Sequence, residues 1–131
     1  KANGLLENLK LKPSKNQILL MQIDSEKNRD YNEALFARLK RISKENDFQV
    51  VIAIFPAMFE FDNYQFSDVH NFVKQQSQQN DFLYMDLLDV YKQEPIPELV
   101  VNAYDPHPNE KGHRIAKNYI LENLINNQIV K

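Results

Sequence analysis

The chain contains no cysteine. That excludes a disulfide framework, a thiolate nucleophile and a thiolate zinc site, and leaves oxidising and reducing compartments equally open. It has no apolar run near the roughly 20 residues needed to cross a bilayer, so no transmembrane segment is expected. Nor is there an excess of charge of one sign: 16 basic and 18 acidic side chains give a formal net charge of -2. So small a balance offers no field to neutralise a row of phosphates, and nucleic acid is not expected as a partner. The sequence opens on Lys1 without a charged region, apolar stretch and small-residue cleavage site, and it reads as starting inside a longer protein.

What is present fits one globular domain. At 131 residues, 43% hydrophobic and 26% charged, the chain is long enough to enclose a single core and too short for two. Residues 1–16 are polar and basic, with Pro13 and aperiodic leucines, and read as a lead-in. Gln17 to Ile23 is a short apolar run at a length where periodicity does not separate strand from helix; strand is preferred. The segment 17–131 is taken as part of one α/β domain.

Asp30 with Glu33 three residues on reads as an N-cap and its reciprocal partner, followed by a helix to about Lys44 with Tyr31, Leu35, Leu39 and Ile42 on one face. Gln49 to Phe55 is apolar, β-branched and stopped by Pro56, as expected of a central parallel strand covered on both faces. Ser67 can cap a second helix to about Gln79 with Val69, Phe72 and Val73 inward, and Phe82 to Leu87 forms another strand. Pro95 and Pro97 make Gln93 to Val101 a loop. A last helix starts near Asn109 or Glu110, with Ile115, Ala116, Tyr119, Ile120 and Leu124 as its buried stripe. Helices and strands alternate, which predicts an α/β domain with a mainly parallel sheet and helices on both faces.

The informative segment runs from Asn102 to Ala116. Asp105 and His107 flank Pro106, which fixes one dihedral between them, and Pro108 biases His107 toward extended backbone. The expected product is a stiff loop that presents a carboxylate and an imidazole at the mouth of the sheet. A serine hydrolase needs that pair: an imidazole that titrates near neutrality to take the hydroxyl proton, and a carboxylate to fix its tautomer and stabilise the imidazolium. On residue types alone, a loop hydrogen bond or simple exposure is the commoner explanation of one Asp-x-His.

The string Asp-Pro-His-Pro-Asn-x-x-Gly-His-x-Ile-Ala, Asp105 to Ala116, resembles the last signature block of the SGNH/GDSL esterase and lipase superfamily. The element order from about Asp30 to Leu124 resembles the C-terminal half of that family. The resemblance implies a three-layer α/β/α, flavodoxin-like fold, present here as an incomplete domain. It also implies His107 as general base, Asp105 as its orienting partner and no cofactor. The commonest family spacing is Asp-x-x-His, which would put the carboxylate where Tyr104 stands. Only two glycines occur, Gly4 and Gly112, so neither the Gly-Asp-Ser nucleophile block nor the Gly-x-Asn-Asp oxyanion block is present. Ile18 to Ile23 followed by Asp24-Ser25 mimics a strand entering Gly-Asp-Ser, but the span from Ser25 to Asp105 is too short for the intervening blocks. Ser25 is therefore read as part of a turn, and the nucleophile is expected upstream or on a companion chain.

Other polar residues take plainer readings. His113 with His107 and Asp105 makes a poor metal site, lacking a thiolate and a fourth ligand, and no metal is expected; His113 is placed on the helix surface beside the pair. His70 reads as a solvated side chain, Lys74 to Gln79 as a solvated helix face, and Asp86 as a strand-end hydrogen-bonding group. Gly112 in the first helical turn suggests close packing. Phe59, Phe61, Tyr64 and Phe66 serve as core or as the wall of an acyl pocket. The expected function is hydrolysis of a carboxylic ester of a lipid, an acylated sugar or a small molecule. The competing class is a non-catalytic α/β binding module that keeps a hydrolase-like loop.

Overall fold

The computed structural model describes residues 26–130; the apolar run Gln17 to Ile23, the lead-in and Ser25 lie outside them. The first helix, α1 (Glu26–Glu45), places Asp30 in its interior, so the expected cap at that residue is wrong. Glu26 to Arg29 contains nothing that stops a helix, and a local capping pattern does not start one where the preceding residues already propagate it. The expected inward face holds only in its second half, where Leu39 and Ile42 are half-buried. Tyr31 and Leu35 are 64% and 41% exposed, whereas Phe36 stacks on Phe82 at 6.0 Å and Ser43 is buried.

A turn with Asp47 in the left-handed region, φ 53°, leads into β1 (Val51–Ile54). Aspartate tolerates that conformation better than most residues. Helix α2 (Ser67–Gln79) then carries the chain across to β2 (Leu83–Asp86). The two strands are parallel, in register from Val51 opposite Leu83 to Ile54 opposite Asp86, which makes β1-α2-β2 a crossover unit of the kind that parallel pairing requires. β1 is half-buried along its length and pairs only with β2 among the described residues, so its expected place at the centre of a sheet is not seen there. Ser67 is the first helical residue and not the cap; its hydroxyl donates to the Tyr64 carbonyl at 3.2 Å.

Two short helices follow, α3 (Leu88–Tyr91) and α4 (Ile96–Leu99). The second overturns the loop expected from Gln93 to Val101: Pro97 occupies the first turn, where its missing N–H costs nothing. Next come β3 (Val100–Asn102), β4 (Asp105–Pro108) and the closing helix α5 (Glu110–Asn126). The Asp105-to-Pro108 segment is thus a short strand, antiparallel to β3, rather than an unpaired loop. The described strands form one parallel and one antiparallel pair, a mixed α/β fold. Its main core, with Met58, Phe61, Leu87, Leu88, Tyr91, Leu99, Val100 and Ala116, gathers where β1 and β2 end and α5 begins.

Candidate active site

The Asp105-His107 strand is positioned by polar contacts on both sides. Asn102 Oδ1 accepts from the amides of Tyr104 at 2.8 Å and Asp105 at 3.0 Å, an asparagine-turned corner that reverses the chain between β3 and β4. At the other end Asn109 caps α5, its Oδ1 accepting from the Gly112 amide at 3.0 Å. Its Nδ2 donates to the carbonyls of Glu98 and Val100 at 2.9 and 3.0 Å. One side chain therefore ties the start of α5 to both α4 and β3. Close packing at Gly112 is borne out, since a Cβ there would lie 2.8 Å from the Leu99 carbonyl oxygen and 3.0 Å from Pro108 Cβ. The buried Tyr91 hydroxyl donates to the Gly112 carbonyl at 3.0 Å.

Within this frame His107 Nδ1 lies 2.5 Å from Asp105 Oδ1, which also accepts from the His107 backbone amide at 3.1 Å. The imidazole bond first, then the amide bond, holds the Asp105 carboxyl below its usual range. An ionised carboxylate at Nδ1 assigns the tautomer: Nδ1 carries the proton and Nε2 the lone pair. The pair is open to water, with side chains 84% exposed for His107 and 46% for Asp105.

Beside the pair runs a groove of about 380 Å³. One wall is the chain leaving β1, Phe55 to Phe59; the other is Pro106, His107 and Pro108, with His113 at the start of α5. It therefore sits at the carboxyl edge of the parallel strands, where α/β folds build ligand sites. Of the aromatic stretch, Phe61 and Phe66 are buried as core, while Phe59 lines the groove and meets Phe66 edge-on at 5.5 Å.

The sequence reading was wrong about His70. It is buried, 6% exposed, with Nδ1 2.8 Å from Asp86 Oδ2 and Nε2 3.0 Å from the Tyr64 hydroxyl. Asp86 also accepts from the Leu88 amide at 2.9 Å and the Tyr84 hydroxyl at 3.0 Å, bearing out its strand-end role and adding to it. Burial, and then the bond to Asp86, push the Tyr84 phenol upward, which keeps it a donor. Tyr64 oxygen in turn accepts from the Ala57 amide at 3.0 Å, so the network ends on the groove wall. Both His70 nitrogens are engaged, and the ring is not available as a base. The signal was legible as a helical stripe: Phe66, His70, Val73 and Ser77 recur at spacings of four, three and four. That stripe also buries Gln76 and Ser77, against the expected solvated face.

The structure thus brings Asp105 and His107 together with His113, which is exposed and flanks the groove. Among the described residues no three His, Asp or Glu side chains converge as a metal site, and no helix is long and apolar enough to cross a membrane. No family model, curated protein or solved structure matches the chain.

Proposed function

We propose that this chain supplies the acid-base part of a serine-dependent ester hydrolase of SGNH/GDSL type. A single observation carries the reading: a carboxylate-oriented imidazole, Asp105 Oδ1 to His107 Nδ1 at 2.5 Å, with its Nε2 left for a proton beside a groove at the carboxyl edge of β1. In the reaction, Nε2 takes the proton of a serine hydroxyl as its oxygen adds to the ester carbonyl, and Asp105 stabilises the imidazolium. The imidazolium then returns the proton to the departing alcohol. Water repeats the cycle to release the acid. The serine and the oxyanion donors come from outside the described residues, and a ring that must meet a hydroxyl from elsewhere has to be uncovered, as His107 is. No step calls for a cofactor.

The three-layer flavodoxin-like fold belongs to the same proposal. It is supported by the parallel β1-α2-β2 unit and by a closing helix whose first turn follows the Asp-His strand.

The test is labelling of the native full-length protein with a fluorophosphonate, followed by mapping of the modified serine. The expected result is one labelled serine, with labelling slowed about 10²- to 10⁴-fold in His107→Ala. Absence of labelling in the native protein overturns the hydrolase and favours the non-catalytic binding module.

A further inference from the structure

The groove has walls of one chemical kind. Phe55, Ala57, Met58 and Phe59 face Pro106 and Pro108, and among its described lining residues the only polar side chains are the imidazoles of His107 and His113. Neither Phe55, a large apolar side chain 42% exposed, nor Phe59 is needed to fill the main core, which is built from other residues. A sugar lying in this space would give up water around several hydroxyls and find two imidazoles in return, an unfavourable exchange for each unpaired group. An apolar chain would lose only water contacts. The volume, about 380 Å³, lies in the lower range of small-molecule sites.

We infer that the groove binds the apolar acyl group of the substrate, so that the ester carbonyl sits at the His107 rim and the chain runs along Ala57 and Phe59. This rests on the hydrolase reading for its direction, because the reacting carbonyl has to lie within reach of His107 Nε2. It selects among the substrate classes open to that reading: esters of medium-length apolar acids are taken, and acetyl groups on polar sugars are poor substrates. The hydrogen-bonded chain Asp86-His70-Tyr64-Ala57 anchors the Phe55-to-Phe59 wall, giving the acyl group a preformed surface rather than one that must be ordered on binding.

The experiment titrates the full 131-residue chain with acetate, butanoate and octanoate, following the Met58 methyl and the His107 and His113 ring protons by NMR. Each buried methylene tightens binding by about fourfold, so octanoate should bind at least about tenfold more tightly than acetate even when its chain is only partly covered. The Met58 and His107 signals should move together. Ala57→Phe, which fills the groove, should abolish the response to octanoate, and Phe59→Gln, checked for folding by circular dichroism, should weaken it about tenfold. Equal responses to acetate and octanoate, or octanoate shifts confined to residues away from the groove, overturn the inference. Fluorophosphonate labelling without octanoate binding sinks this assignment and leaves the hydrolase standing. Octanoate bound in the groove of a protein that is never labelled removes the hydrolase and keeps the acyl-binding groove.

Discussion

Three histidines occur in the chain, and at the residue scale their surroundings give them three different jobs. His107 is held on one nitrogen and open on the other. His70 is held on both, inside the protein. His113 is exposed on α5. For Asp105 the consequence is a pH dependence whose sign is fixed. Its carboxyl is lowered in the fold by the His107 ring and amide, so the stabilising contribution is present above the ordinary carboxylate range and disappears as pH falls through the lowered folded value. Carbon NMR of the Asp105 carboxyl should show a midpoint below that of an unpaired aspartate, moving back up in His107→Ala; an unmoved midpoint would mean the pair does not form in solution. The two remaining partners of Asp86, Leu88 and Tyr84, do not replace His70. His70→Ala removes a buried ring, leaves the half-buried Asp86 Oδ2 with the Tyr84 hydroxyl alone and takes a partner from the Tyr64 hydroxyl, and should cost about 2–4 kcal/mol in urea denaturation. His107→Ala, at the surface, should stay within about 0.5 kcal/mol. Equal losses would contradict the division of labour between the two rings.

At the scale of the element, α5 was the most legible part of the chain, because its beginning is written in local chemistry. Asn109 caps it and Ala116 lies in the core, as the sequence pattern requires. α1 was misread at its start, since whether a helix begins at Asp30 or at Glu26 depends on how well the residues before the cap propagate, and that preference is small. The stretch Gln93 to Val101 was misread because proline in a first helical turn and proline in a loop look alike in one sequence. The element junction also yields a prediction whose sign is not that of helix propensity. Gly112→Ala should gain about 1 kcal/mol from propensity alone. The new methyl group, however, would meet the Leu99 carbonyl oxygen at 2.8 Å, a backbone atom fixed by the Asn109 amide at 2.8 Å. Overpacking of this kind costs about 1–3 kcal/mol, so the variant should be less stable than the parent by urea midpoint. A variant more stable than the parent would show that α4 and α5 are not locked together as described.

Across the whole molecule, alternation of period and turn residues was enough to foresee a parallel β1-α2-β2 unit, because that arrangement is decided within about 35 residues. What alternation could not reveal is where the core lies. Burial depends on which faces meet, and the buried cluster joins residues as far apart in sequence as Met58 and Ala116. It lies at the carboxyl edge of the strands, under the groove, and not beneath α1. Among the described residues, the contacts of that helix with the rest include the Phe36-Phe82 stack, the Lys40-Asp81 ion pair at 2.8 Å and the Arg29 guanidinium over the Phe72 ring at 5.4 Å. The ion pair and the cation-ring contact are surface interactions of about 1 kcal/mol or less each. Local opening should therefore cost least in α1 and most around the cluster. Native-state hydrogen exchange should find the slowest amides near Leu87, Tyr91 and the first half of α5, with residues 30–38 of α1 exchanging faster by about tenfold or more. If α1 proved as slow as Tyr91, its burial would have to exceed what its 64% exposed Tyr31 and 41% exposed Leu35 allow, and the placement of the core under the groove would be wrong.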